Sequence, residues 1–283
     1  MTHPLIVGVN TAMFDGIDQE TAFRIVHETG FNIIELAYNQ GYVGNLDPAL
    51  FGDENAARVK ALFDKYRLRS VALGCTINLA GEDAVAQFSK RISFASKIGA
   101  TYLNTCTAKR GDYDRLVHNL RALAPEAADH GCVICVENGG DPDYDAFSVA
   151  QEGRQLLEDV GHDAVAFNFD AGNMVSLRPD VAPIEHGFEM LGNMRHCHIK
   201  DIRTQNGEFF FTAIGRGQLD YRPLLPALAQ HNIPCSLEIP LRMHRQANTM
   251  PLRGANPVPV EQSREVLLQS RQALETMLGR AFG

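Results

Sequence analysis

Eight short apolar runs, each about one strand–helix unit from the next, constrain this chain more than any other feature. They cover Ile6 to Asn10, Asn32 to Ala37, Ser70 to Cys75, Thr101 to Cys106, Cys132 to Glu137, Ala164 to Asp170, Arg195 to Lys200 and Cys235 to Ile239. Between several of them apolar residues recur three and four apart, the period of a helix with one buried face. Asp18 is placed to cap a helix through ETAFRIVHET that Gly30 stops. ENAARVKALFDKY, AVAQFSKRISFASKIGA, DRLVHNLRALAPEAADHG and the final EQSREVLLQSRQALETMLG repeat the pattern, with Pro125 an expected kink. Eight βα units in 283 residues, with no low-complexity linker, predict an α/β fold: a (β/α)8 TIM barrel in a single domain, residues 1–283.

Strand parity separates the barrel from an open, doubly wound sheet, which would want apolar residues on both faces. In RHCHIK, His196, His198 and Lys200 share one face and Cys197 and Ile199 the other. In AVAFNFD, Ala164, Ala166, Asn168 and Asp170 oppose Val165, Phe167 and Phe169. In CSLEIP, Ser236 and Glu238 oppose Leu237 and Ile239. One face is bulky and suits packing on helices; the other is small or polar and suits a barrel interior.

On that inward face, four runs carry at or near their ends a side chain able to ligate a metal: Glu137, Asp170, His198 and Glu238. They fall at the C-terminal ends of strands five to eight, where barrel enzymes hold their chemistry. A lone Glu at a strand end is usually solvated or salt-bridged; four such groups on consecutive strands point to a shared ligand. Three carboxylates and one imidazole suit a divalent ion, Mn²⁺ foremost, with Mg²⁺, Co²⁺ or Zn²⁺ as alternatives. Without a cation, three carboxylates so close would repel, and at least one would stay protonated. His196 lies one step deeper and reads as a hydrogen-bonded core residue or a partner behind the ligands. Glu35, inward on strand two, is a candidate substrate contact or a buried structural carboxylate.

Bulk properties narrow the class. A formal net charge of −8 gives no general attraction to nucleic acid or to an anionic membrane. The N-terminal residues lack the pattern of a signal peptide, and no apolar stretch approaches the roughly 20 residues of a membrane span. A cytoplasmic enzyme or binding protein is therefore expected. Cys75, Cys106, Cys132, Cys135, Cys197 and Cys235 all fall in or at the end of apolar runs and are expected to be buried thiols.

In VENGG, FDAGN, HIKD and the GRGQLDY…LEIP region, and over essentially its whole length, the chain resembles the xylose isomerase-like TIM barrels, the sugar phosphate isomerase/epimerase superfamily. The resemblance implies one divalent metal on Glu137, Asp170, His198 and Glu238. It also implies Glu137 and Glu238 as an acid/base pair working through an enediolate, with the metal as Lewis acid. Lys200 is expected to donate to a substrate oxygen or to pair with Asp201. Asn173 stands where the ketose 3-epimerases of the family carry a substrate-binding His, and Lys200, Asp201 and Arg203 differ from the residues that follow their metal His. The DNA-repair branch needs additional early-strand histidines, which Cys75 and Cys106 replace here.

The segment PLRMHRQANTMPLRGANPVPV after strand eight carries Arg242, His244, Arg245 and Arg253 and reads as a lid. With Lys109 and Arg110 it suggests a carboxylate or phosphate on the substrate. Exposed arginines or a subunit contact are the plainer reading. Gly215–Arg216–Gly217 lacks the third glycine of a dinucleotide fingerprint and reads as a loop-fixing turn. Candidate substrate contacts are thus Asn173, Arg203, Arg216, Lys109, Arg242 and Glu35. The expected activity is a metal-dependent isomerase or epimerase of a small polyhydroxylated carbonyl compound, a sugar, sugar acid or sugar phosphate. A lyase (dehydratase or decarboxylase) is the alternative, and a non-catalytic sugar-binding barrel a third reading. The small-molecule substrate is the expected partner, with a homo-oligomer (dimer or tetramer), no nucleic acid and no membrane.

Overall fold

Each of the eight apolar runs is a strand in the computed structural model, which describes residues 4–282; the outermost residues of the expected 1–283 domain lie outside the described residues. In chain order the strands are β1 (Val7–Asn10), β2 (Ile33–Ala37), β3 (Arg69–Gly74), β4 (Tyr102–Thr105), β5 (Val133–Glu137), β6 (Val165–Asp170), β7 (Met194–Ile199), β8 (Asp201–Gln205), β9 (Glu208–Thr212), β10 (Cys235–Leu237), β11 (Met243–Arg245) and β12 (Pro251–Arg253). The helices are α1 (Gln19–Glu28), α2 (Gln40–Val43), α3 (Asp53–Tyr66), α4 (Ala84–Ile98), α5 (Tyr113–Asp129), α6 (Ala150–Val160), α7 (Ala171–Leu177), α8 (Pro183–Met190), α9 (Leu224–Gln230) and α10 (Val260–Leu278). Parallel pairing closes β1-β10-β7-β6-β5-β4-β3-β2 into a barrel, while β12-β11-β9-β8 form a separate antiparallel sheet.

The helix ends obey their sequence signals. The Asp18 carboxylate accepts from Thr21 N at 2.9 Å to start α1, and Gly30 follows its end at φ +84°. Pro125 sits inside α5 without ending it.

Strand parity sorts the side chains as the period of two requires. Phe167 and Phe169 point outward and are buried; Phe167 packs on the Phe147 ring at 5.7 Å between centroids. Burying a ring of this size contributes about 2–3 kcal/mol. Inward, a hydrogen-bonded polar layer fills the barrel: Asn104 Nδ2 meets His196 Nδ1 at 3.0 Å, His196 Nδ1 meets Asn168 Oδ1 at 3.0 Å, and Ser236 Oγ meets His196 Nε2 at 3.3 Å. Burial pushes the His196 imidazole down to about 3, so it stays neutral in this layer.

Two features were not expected. β10 ends at Leu237, so Glu238 begins the loop rather than lying within the strand. The chain after β7 turns at once into the β8–β9 hairpin, and the long segment after β10 contributes β11 and β12 to the same sheet. Asn206 and Gly207, at φ 53° and 81°, make the two-residue turn that suits right-twisted strands. No helix among the described residues is long and apolar enough to cross a membrane. All six cysteines are free and buried.

Candidate metal centre and active site

Register brings the four expected ligands together. β6 and β7 shift by one residue between Phe167 and Asn168, which places Asn168 opposite His196 and Asp170 opposite His198. Ser236 of β10 also lies opposite His198, so Glu238, two residues on, sits one step above the imidazole on the same face. Glu137, at the end of β5, completes the ring from the other side. One donor atom from each of Glu137, Asp170, His198 and Glu238 lies within 4.8 Å of every other.

The donor atoms are differently engaged. Asp170 caps α7 with one oxygen, Oδ1 accepting from Asn173 N at 3.1 Å. Its other oxygen, Oδ2, is buried without a hydrogen bond; the Lys200 ammonium lies 2.6 Å away but off hydrogen-bonding geometry, so the two describe a close ion pair. His198 Nε2 faces Glu35 Oε1 at 3.1 Å, and Asn104 Nδ2 donates to that oxygen at 2.9 Å. A proton on Nε2 held by Glu35 leaves Nδ1 as the ligating nitrogen; it is 3.4 Å from both Glu137 Oε1 and Glu238 Oε2 and meets Asn168 Nδ2 at 3.1 Å, a contact that an ion would replace. Lys200 Nζ also pairs with Glu238 Oε2 at 2.5 Å. It reaches Asn173 Oδ1 at 3.2 Å, and Asn173 Nδ2 donates to Glu137 Oε1 at 2.7 Å.

Protonation follows from this crowding. Burial, together with the charges of Glu238 and Asp170, pushes Glu137 up to about 7 against the pull of His198. Burial works against the His198 imidazolium and the Lys200 ammonium. The surrounding carboxylates more than offset it and hold both protonated. Burial likewise raises Asp170 and Glu35, but nearby cations win and hold each carboxyl below its ordinary range. Four carboxylates thus share a dry space with two cations, and one of the carboxylates is half-protonated near neutrality. A divalent ion fits that donor set: it would take the place of protons on His198 and Glu137 and use Asp170 Oδ2, which accepts no hydrogen bond, as a ligand. Glu35, His196 and His198 form a second close group. There the ring nitrogens of His196 already meet Asn104, Asn168 and Ser236, so the group reads as support for His198.

Above the ligands opens a cavity of about 110 Å³. Glu137, Glu238, Lys200 and Asn173 line its floor, while Asp170 and His198 lie beneath. The walls are mostly neutral and small: Thr11, Ala37, Asn39, Thr76 and Cys106, with Tyr42 from α2; Asp15, paired with Arg242 and Arg253, is their one carboxylate. Phe211 of β9 and Met243, His244 and Arg245 of β11 form the roof.

Several expected substrate contacts lie elsewhere. Lys109 is exposed and pairs with Asp143 at 3.0 Å; its neighbour Arg110 pairs with Glu152 at 2.9 Å. Arg203 is exposed on β8, and Arg216 borders a different groove against α10. Arg242 is tied down by Asp15 at 3.5 Å and by the Gly254 and Ala255 carbonyls, each at 2.9 Å. Each of these cations has solvent or an acceptor of its own, and strand-end position alone did not reveal that. Glu35 is buried below the cavity and holds His198 rather than facing it. Lys200 pairs with Asp170 and Glu238, not Asp201, whose carboxylate instead accepts from the backbone of Gly215, Gly217 and Leu219. Among the other residues lining the cavity, Phe211 had a readable signal: Asn206–Gly207 between two strand-like runs announces a hairpin. Tyr42, on a four-residue helix, had none.

A family model for the xylose isomerase-like TIM barrel matches residues 23–268. No curated protein matches the sequence. Among solved structures, a D-psicose 3-epimerase with D-tagatose from Clostridium cellulolyticum H10 is similar at 17% identity and a TM-score of 0.73, covering 99% of this chain and 100% of that one. A xylose isomerase domain protein from Planctomyces limnophilus matches at 20% and 0.71, covering 99% and 97%. A probable 3-DHS dehydratase of petrobactin synthesis from Bacillus anthracis matches at 14% and 0.71, covering 95% and 98%. At such identities the likeness is one of fold.

Proposed function

The chain belongs to the xylose isomerase-like TIM barrel family, and from that premise we propose a divalent-metal-dependent isomerase or epimerase of a small polyhydroxylated carbonyl compound. One observation carries the reading. Of the four clustered groups, only Glu137 and Glu238 line the cavity, and they come from the end of β5 and the residue just after β10, with β6 and β7 between them. Two carboxylates so placed flank a substrate carbon from different sides. When bound, the ion supplies Lewis acidity that makes the C–H beside a carbonyl easier to ionise. Glu238 or Glu137 removes that proton and the other returns one, to the opposite face in an epimerase or to the neighbouring carbon in an isomerase. Lys200, kept cationic by Asp170 and Glu238, donates to the substrate oxygen that gains charge. Glu35 holds His198 in one tautomer.

A lyase is the second reading, and Lys200 is what favours it: a buried ammonium on the cavity floor can protonate a departing hydroxyl. The likeness to the probable dehydratase is compatible with it. The test is proton exchange in D₂O, followed by NMR, with Mn²⁺-loaded protein and a panel of ketoses, sugar acids and sugar phosphates. Deuterium entering carbon beside the carbonyl of one compound supports proton-transfer chemistry, and the product separates isomerase from lyase. No exchange with any compound, at verified metal occupancy, would count against both.

A further inference from the structure

Arg245 is a buried cation on the cavity wall that meets no carboxylate at ion-pair distance among the described residues. Its Nη1 donates to Ser176 Oγ at 2.9 Å and its Nη2 to Asn173 Oδ1 at 2.7 Å, both neutral acceptors on α7. A guanidinium has five N–H donors, and the Arg245 side chain makes no other hydrogen bond among the described residues. Buried charges are ordinarily paired, because desolvating one alone is costly. The nearby Asp141 carboxylate feels this charge from beyond ion-pair distance, and its direct hydrogen bonds come from the Tyr42 hydroxyl at 3.0 Å and Asp143 N at 3.0 Å.

The other cations of the same segment behave differently. Arg242 and Arg253 both pair with Asp15, at 3.5 and 2.7 Å. Arg91 is also buried without a carboxylate, yet it lies 4.2 Å over the Phe51 ring and lines no part of the cavity. Arg245 instead occupies a notch made for it: a Cβ at Gly140 would collide with its guanidinium. Phe211 lies beside both cavity cations, its ring centroid 5.8 Å from the Arg245 guanidinium and 5.5 Å from Lys200 Nζ. Asn173 ties the two together, its Oδ1 accepting from each, at 2.7 and 3.2 Å.

Resting on the reading of the site given above, we propose that Arg245 binds an anionic oxygen pair at one end of the substrate, a carboxylate or a phosphate ester, and that the site therefore takes sugar acids or sugar phosphates in preference to neutral sugars. The direct carboxylate contact that Arg245 lacks is then the substrate's own. Because Asn173 bridges Arg245 to Lys200 and Glu137, the anionic group lies only a few atoms from the reacting carbon. Arg245 is in this view a specificity-determining residue that anchors one end of the substrate.

The test is calorimetric titration of the Mn²⁺-loaded protein with gluconate, glucitol and glucitol 6-phosphate, in wild type and in Arg245→Met. Wild type is expected to bind at least one of the two anions about ten-fold or more tighter than glucitol, as a paired charge-assisted contact should. In Arg245→Met that preference should fall to within about two-fold, with Mn²⁺ affinity unchanged. Which anion is preferred identifies the carboxylate or the phosphate as the source. A wild type without anion preference overturns the proposal. So does a preference that survives in the variant, because the anion would then be reading the metal rather than Arg245. If Arg245→Met does not fold, Arg245→Gln removes the charge while keeping a donor for Ser176 and Asn173; an unchanged preference there overturns it equally. The readout is binding, so D₂O exchange without any Arg245 effect would sink this proposal alone, and the reverse pattern would sink the isomerase reading alone.

Discussion

The bed of the site and its roof come from sheets of different kinds. In the bed, parallel strands closed into a barrel leave each ligand little freedom. Asp170 stands beside His198 because β6 and β7 are in that register, and a slip would turn buried phenylalanines inward. The roof is an antiparallel sheet of short strands, half-buried along β9, and side chains tether it to the rest: Arg242 and Arg253 to Asp15, Arg245 to α7. Rigid placement suits proton transfer, which tolerates little misplacement. A tethered cover suits selection of what enters. On this division, damage to the bed should stop the chemistry, while damage to the roof should alter which ligand binds and how tightly.

The largest expected effect is in the bed. Glu238→Gln keeps the side chain's volume but removes a proton acceptor and weakens a ligand. Turnover or D₂O exchange should fall by about three orders of magnitude or more, with unfolding little changed. Full activity in that variant would remove the acid/base role and the distinction between bed and roof with it.

A second, smaller effect tests the charge balance of the bed. The Glu137 carboxyl is raised from 4.5 to about 7 in the metal-free protein. A raised group stabilises the fold below its unfolded pKa, and that stability is lost as pH rises through the folded value. His198, also raised, works in the same sense at higher pH. Metal-free protein should therefore lose stability on the order of 3 kcal/mol between pH 4.5 and 7. A bound divalent ion answers the unpaired charge. The rise in Tm on adding Mn²⁺ should then grow from pH 5 to pH 8; an increment that does not vary with pH would mean that Glu137 is not one of its ligands.

The same division explains what could be read from the sequence. The barrel was legible because strand parity and strand–helix spacing act locally. Val165, Phe167 and Phe169 had to face helices, which sent Asn168 and Asp170 inward whatever the rest of the chain did. Convergence of Glu137, Asp170, His198 and Glu238 followed from closure of the barrel. The roof was not legible in that way. Arg242 and Arg245 are three residues apart in one segment with similar surroundings in sequence. One is neutralised by Asp15 and the other reaches α7, a difference set by contacts more than sixty residues away. Lys109, Arg203 and Arg216 were candidates for the same reason and face elsewhere. Position within a barrel strand predicts a side chain's direction; position beyond the strand's end does not.

The smallest expected effect asks whether the roof can open without the bed. Gly207 holds φ +81° in the β8–β9 turn, and a Cβ there would meet nothing closer than the Ala247 Cβ at 3.9 Å. Gly207→Ala therefore leaves packing alone and adds only the cost of a left-handed backbone in an L-residue, about 1 kcal/mol. If the roof opens as its own unit, hydrogen exchange at β8 and β9 amides should quicken about five-fold while amides of β5, β6 and β7 keep their protection. KM for the preferred ligand should rise modestly at an unchanged kcat, because the ligands beneath have not moved. If exchange instead quickens equally in roof and barrel, the two sheets unfold together, and the roof selects substrate as a fixed wall rather than as a cover that opens.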